Sequence, residues 1–533
     1  MASNFVYPTK PLDQWDFMQG RKLNFDSLAE MFYTRVQENP NKIYVKYYDQ
    51  NISYAQTNAQ ANRVANYLKE KGVGKGDIVS IMVRNAPEIY YTTFGTQKLG
   101  ACAGAVNYSL KGPEIAYVLD DSKPKVCFVH SEFMKDFAAG VALAGHKTIV
   151  IEVATGEDHG QNIAEQTLAD ILAKYPDDEA LVAQGPEDPA LLLYSSGTTG
   201  SPKGILLPNR AELAVCKSWI STGICAQDDV CMIIMPMYHT NPLCVWTYPW
   251  AYAGQTVCIR KQYSPSDFWP AIIENGVTTA MVVPAMISYV HDSTNPEDID
   301  MSRLKLRTCV CGAAPLPVEL IKGVKAKFGV DILEGYGLTE VTGLSTCNPP
   351  LGKTKPGSIG PAIPNQPIEI MDDDNNILPQ GERGEICTFG DMNMLGYLNK
   401  PEESAKTIKN GWLHTGDVGY MDEDGYIYIV DRKKDMINRG GENIYPREIE
   451  IVIEQHPKVL EVAVIGVPDQ ALGERVKAYI VPREGQTLTE DEMKDYLKER
   501  IAKYKIPEFV EVIAQIPRNA TGKVQKGVLR ENN

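Results

Sequence analysis

The sequence predicts an α/β protein: a large N-terminal part with largely parallel sheets, a smaller β-rich subdomain, and a compact α+β unit at the C-terminal end. Three observations carry this. Over the first two-thirds, short β-branched apolar runs alternate with longer helical patterns. From about Gly360 to residue 430 the texture changes to short strands between Asp, Asn and Gly turns, as in IEIMDDDNNILPQGERGEICTFG. From DRKKDMINRGGENIYPREIE onward it changes again, and Lys433–Asn533 holds 17 basic and 17 acidic residues of the chain's 53 and 68. The whole net charge of -15 therefore lies before it, which sets a boundary near Asp431–Lys434 and divides the chain into 1–432 and 433–533.

In chain order, DIVSIMV reads as a buried strand and APEIYYTTFGTQKLG as the helix after it; GPEIAYVLDDS reads as a helix and Lys125–Val129 as the next strand. The C-terminal unit reads as a helix (REIEIVIEQHP), two strands (VLEVAVIGVP and RVKAYIVPR), a helix (EDEMKDYLKERIAKY, Glu490–Tyr504) and a closing strand (FVEVIAQIP). With 44% hydrophobic and 23% charged residues the chain is globular in composition, and its acidity argues against nucleic acid as a partner. Eleven cysteines without a CxxC pair read as buried reduced thiols and not as a zinc site. No signal-peptide pattern and no transmembrane run is found, so a cytoplasmic protein is expected.

The stretch SSGTTGSPKG, Ser195–Gly204, has the composition of a phosphate cradle. Gly197 and Gly200 let backbone N–H groups approach an anion, and Ser195, Ser196, Thr198, Thr199 and Ser201 offer hydroxyls. A Walker loop ends in Lys followed by Ser or Thr, whose hydroxyl holds magnesium. Here Lys203 is followed by Gly204. On its own the stretch could equally be a Ser/Gly turn between a strand and a helix.

Downstream come LEGYGLTE (Leu333–Glu340), GWLHTGD (Gly411–Asp417), DRKKDMINRGGENIYPREIE (Asp431–Glu450) and PRNATGKVQK (Pro517–Lys526), in that order. With the loop they resemble the acyl-adenylate-forming superfamily, which includes acyl-CoA synthetases, adenylation domains and luciferases, from about Asp26 to Val528. The resemblance implies a large N-terminal domain of stacked α/β sheets and a small mobile C-terminal domain that swings between two half-reactions. It implies ATP, Mg²⁺ and coenzyme A as reactants. Nucleotide binding falls to Ser195–Gly200, Lys203, Gly312, Ala313 and Ala314 of CGAAPLP, Glu334, Gly335, Tyr336 (on adenine), Gly337, Thr339 (on the α-phosphate), and Asp417 with Arg432 (on the ribose). Glu340 and Thr198 would face Mg²⁺. Lys523 would sit between the attacking carboxylate and the α-phosphate; with Thr198, Glu340 and His239 it makes up the expected catalytic set. Lys434 would be the hinge, and Gly440 and Gly441 would line the coenzyme A channel.

The same resemblance puts His239 of MPMYHTNPLCVWTYPW at the acyl site, in a packing or gating role, with Trp246, Gly312 and Gly337 as further pocket residues; Tyr248 and Trp250 would help shorten the pocket. No acidic residue lies between Met237 and Tyr263, which counts against a substrate ammonium and for a small- to medium-chain or cyclic carboxylic acid. Ten residues follow Lys523, so free coenzyme A is the expected acceptor, with a separate carrier protein as the alternative; a homodimer is compatible with the sequence. A P-loop kinase, releasing ADP, and a non-catalytic nucleotide-binding regulator are the competing classes.

Overall fold

The computed structural model describes residues 7–154, 163–195, 202–314, 316–440, 442–518 and 524–531. Two eight-stranded sheets form the large domain. In the first, Asp331–Tyr336, Thr308–Cys311, Thr279–Val282, Val230–Ile233, Thr256–Ile259 and Ile43–Tyr47 are parallel neighbours. In the second, Pro189–Ser195, Cys102–Ala105, Ile78–Met82, Val126–His130 and Ile149–Val153 are parallel. Strands of this kind are covered on both faces, which is why they read as continuous apolar runs.

Local chemistry sets the helices between them. Ser53 and Gln56 form a capping box that starts Tyr54–Glu70. The following helix, Glu88–Lys98, is buried nearly all round, its Thr92 and Thr96 hydroxyls donating to carbonyls of the preceding turn and Lys98 paired with Glu179. It packs close because Gly95 has no side chain: a Cβ there would lie 2.7 Å from the Ala61 carbonyl oxygen. One continuous core joins the two sheets, reaching from Val79 and Leu191 to Val45 and Val257.

The β-rich subdomain is an antiparallel sheet of Ile368–Met371, Gly384–Phe389, Trp412–Met421, Ile408–Lys409 and Ile427–Arg432. The C-terminal unit places helices Pro446–Glu454 and Glu490–Lys498 on a sheet in which Val459–Asp469 and Gly473–Pro482 pair antiparallel; Phe509–Val512 adds a parallel strand. The expected helix Glu490–Tyr504 stops at Lys498. Ile501 and Ile506 fold inward onto the core, so the chain bends and leaves only a 3-10 turn at Lys503–Lys505.

The Ser/Gly-rich loop also differs from the turn the sequence suggested. It joins Pro189–Ser195 to Lys203–Pro208, two strands of an antiparallel hairpin with Ser195 opposite Lys203. It does not lead directly into a helix, as a Walker loop does. Among the described residues no helix is long and apolar enough to cross a membrane.

Candidate active site

The site residues gather beyond the carboxyl ends of the parallel strands, where open α/β sheets hold ligands. Gly312–Ala314 follow Thr308–Cys311, and Gly337–Glu340 follow Asp331–Tyr336. Backbones meet here: a Cβ on Gly312 would lie 2.8 Å from the Gly335 carbonyl oxygen, and one on Gly337 would lie 2.4 Å from that of Gly343. Gly337 is thus spent on backbone packing. Ala313 is exposed and holds φ at 69°, a left-handed conformation that side chains adopt at a cost.

Asp417 and Tyr336 form the best-defined polar pair. The Tyr336 hydroxyl donates to Asp417 Oδ2 at 2.6 Å, and Arg432 Nε lies 3.3 Å from Oδ1. Asp417 and Arg432 are cross-strand partners in the antiparallel ladder, so the sheet brings them together. Glu334, one strand position before Gly335, accepts from Gly357 N–H at 2.7 Å. Burial pushes its carboxyl up to about 7, against the lowering effect of that hydrogen bond.

Glu340 stands in a 3-10 turn with Thr339. Its Oε1 accepts from the Tyr397 hydroxyl at 3.0 Å. The same Tyr397 ring carries the Lys203 ammonium 4.9 Å from its centre, and Lys203 is also paired with Glu403. Tyr397 was not singled out in the sequence. It arrives through a two-residue strand, Gly396–Tyr397, on the edge of the hairpin that carries Lys203. Ser196, Gly197, Thr198, Thr199, Gly200, Gly441 and Lys523 lie outside the described residues.

Thr240 Oγ1 donates to Thr339 Oγ1 at 2.7 Å, which joins the His239 segment to the turn that holds Glu340. Asn241–Thr247 is a π-helix, a rare form that concentrates at functional sites. Trp246, expected in the acyl pocket, is instead part of the core. It is fully buried, stacked on Trp250 at 4.8 Å, edge-on to Trp219 at 6.3 Å, and donates to Asn241 Oδ1 at 3.1 Å. Tyr248 and Trp250 are equally buried. An aromatic run looks the same for core and pocket in one dimension, and here the large domain's core claims all three.

The segment at the expected hinge is a 3-10 turn, Lys433–Asp435. Lys433 Nζ reaches Asp373 at 2.7 Å and Glu385 Oε2 at 3.0 Å. Glu385 also meets His414 Nδ1 at 3.1 Å, beside the Cys387 thiol. Burial works to raise the Glu385 carboxyl, but His414 and Lys433 hold it below the usual range. On the other side Arg530 of the last helix donates to Asp435 at 2.8 Å, and Arg383 of the subdomain pairs with Glu448 of the C-terminal unit at 2.6 Å.

The sequence profile of the AMP-binding enzyme family matches residues 32–398, and that of its C-terminal domain matches 448–523. Long-chain-fatty-acid–CoA ligase FadD13 of Mycobacterium tuberculosis is 36% identical over 91% of this chain and 93% of its own. Indoleacetate–CoA ligase of Aromatoleum aromaticum is 34% identical over 92% and 95%. Among solved structures, ATP-bound MatB from Rhodopseudomonas palustris superposes with a TM-score of 0.86 at 30% identity, covering 95% of this chain and 99% of that one. The chain belongs to the AMP-binding enzyme family, as an AMP-forming acyl-CoA synthetase.

Proposed function

We propose that this AMP-forming acid:CoA ligase takes a carboxylic acid without an α-ammonium group, adenylates it with ATP, and passes the acyl group to free coenzyme A. One observation carries the reading. Lys203, Tyr397, Glu340, Thr339, Thr240 and His239 follow one another by contact or chain adjacency, and Tyr336 with Asp417 and Arg432 flanks them from the same strand end. That run of one cation, hydroxyls and a carboxylate would serve a nucleoside triphosphate with an acid at its far end.

In this reading Asp417 accepts the ribose hydroxyls, held in place by Tyr336 and Arg432. Glu340 offers a hard carboxylate oxygen, oriented through the Tyr397 hydroxyl, so the donor set fits a hard divalent cation such as Mg²⁺. Bound there with Thr198, the cation would neutralise charge on the phosphates. Thr339 donates to the α-phosphate, and Lys523 brings the acid's carboxylate and that phosphate together. The carboxylate oxygen bonds to phosphorus and pyrophosphate leaves; the coenzyme A sulfur then bonds to the acyl carbon and AMP leaves. Lys434 is the pivot between the two steps, and Gly440 and Gly441 give the thiol arm its path.

The case against an amino-acid substrate rests on charge. Three carboxyls outside the 237–263 segment meet it: Glu132 and Asp267 are already paired with its cations Lys261 and Arg260, and Glu212, against Cys244, is fully buried. Burial pushes the Glu212 carboxyl far above the usual range, so it offers no anion to an ammonium group. A pyrophosphate-release assay over straight-chain, aryl and amino acids tests the reading. Turnover with plain acids and none with amino acids is expected; robust turnover with an amino acid would refute it.

A further inference from the structure

Asn85 stands just past strand Ile78–Met82 of the second sheet and is 1% exposed. Its side chain crosses to the first sheet. Nδ2 donates to the Met235 carbonyl at 2.8 Å, and Oδ1 accepts from Met237 N–H at 2.9 Å. A carbonyl on one side and an N–H on the other leave the amide only one orientation. Between the two contacts sits Pro236, whose carbonyl accepts from His239 N–H at 3.0 Å. One buried amide thus spans the turn that delivers His239.

The ring side is held from the same sheet. Tyr238 lies 4.3 Å from the His239 ring and meets Tyr108 edge-on at 4.7 Å. Tyr108 lies flat on Phe133 at 4.7 Å. The Arg84 guanidinium covers both of these rings, at 5.1 and 5.0 Å. Arg84 is the neighbour of Asn85 in the chain, so one short segment of the second sheet fixes both the backbone and the rings of the His239 turn. The Glu340 turn meets this segment one residue further on, where Thr240 donates to Thr339, and not through the Asn85 amide or the rings beside His239.

We infer that Asn85 is a positioning residue for the acid substrate: by clamping Met235 and Met237 it sets where His239 stands, and through it the acceptance of the acid but not of ATP. The inference rests on the proposal that His239 borders the acyl site. Loss of such a clamp displaces a group that lines the reacting pair, and small displacements there cost up to about 100-fold in rate.

The test compares Asn85→Ala, Asn85→Asp, His239→Ala and the double variant Asn85→Ala/His239→Ala in the full chain, by pyrophosphate release with the acid and ATP varied in turn, together with thermal melting. Asn85→Asp has the same volume and keeps the acceptor for Met237, so it carries the comparison should Asn85→Ala not fold. The expected result is a loss of about 10- to 100-fold in kcat/KM for the acid in Asn85→Ala, a smaller loss in Asn85→Asp, and a KM for ATP within about twofold of the parent. The double variant should be no worse than His239→Ala, because both changes act through one group. Equal losses for acid and ATP, or additive losses in the double variant, would overturn the inference. If His239→Ala leaves the acid constants unchanged, the acyl-site reading itself fails; if it weakens the acid and the Asn85 variants do not, only the clamp fails.

Discussion

The Tyr336 hydroxyl holds the Asp417 carboxylate at 2.6 Å, while Arg432, opposite Asp417 in the ladder, holds its other oxygen. Tyr336 was expected to stack on adenine; its hydroxyl has a second use, which is to fix the proposed ribose acceptor. Tyr336→Phe keeps the ring and removes one hydrogen bond to a charged group, worth about 1.5 kcal/mol. KM for ATP should rise about tenfold with kcat near the parent's, and Asp417→Ala should raise it further. Steady-state kinetics with ATP varied decides; an unchanged KM in Tyr336→Phe would mean that the pair is only structural.

The Tyr397 hydroxyl donates to Glu340, the proposed Mg²⁺ ligand, and would orient it for the cation. In Tyr397→Phe the Mg²⁺ concentration giving half-maximal pyrophosphate release should rise about tenfold, and in Glu340→Gln more. A Mg²⁺ titration identical to the parent's in both variants would remove the metal role from Glu340.

Glu334 sits at about 7 because burial disfavours its anion. A carboxyl raised above its unfolded value binds the extra proton in the folded state, so stability is lost as pH rises through the window from 4.5 to about 7. Glu334→Gln stays neutral throughout. The melting temperature of Glu334→Gln relative to the parent should therefore climb between roughly pH 5 and pH 8. A difference that is flat across this range would contradict the buried, partly neutral carboxyl.

Lys434 occupies a 3-10 turn between two sets of ion pairs, Lys433 with Asp373 and Glu385 and Asp435 with Arg530. Backbone in such a turn is compatible with the φ of proline. Taking adenylation as the pose this turn holds, Lys434→Pro should form acyl-adenylate and pyrophosphate while transferring poorly to coenzyme A, whereas Lys434→Ala, with a free backbone, keeps both steps. Single-turnover rates of the two half-reactions are the readout, and normal thioester formation in the proline variant would take the hinge away from this position.

The parallel sheets and the segments that carry Tyr336 and Asp417 were legible because their signals are local: buried strands read as apolar runs, and GYGLTE and HTGD fix short spacings around the two residues. Tyr397 and Asn85 left no such trace. Their partners are 57 and 150 residues away or more, and a tyrosine in MLGYLN or an asparagine in VRNAP is unremarkable until the fold closes the distance. Trp246 was misplaced for a related reason, since a one-dimensional aromatic run does not say which face meets the cleft. The early end of Glu490–Lys498 follows from Ile501 and Ile506 being claimed by the core, a tertiary preference that overrides a helical pattern.

The acyl-adenylate route is tested most directly by product analysis with ATP labelled in the α-phosphate, run with a turned-over acid, with and without coenzyme A, for the parent and for Lys523→Ala. With coenzyme A the parent should yield AMP, pyrophosphate and acyl-CoA in equal amounts; without it, acyl-adenylate should accumulate. Lys523→Ala should slow adenylation by about 10²- to 10³-fold yet still transfer the acyl group from supplied acyl-adenylate. Labelled ADP, or AMP release that does not depend on the acid, would contradict the route, and an equal fall of both half-reactions in Lys523→Ala would contradict the role given to that lysine.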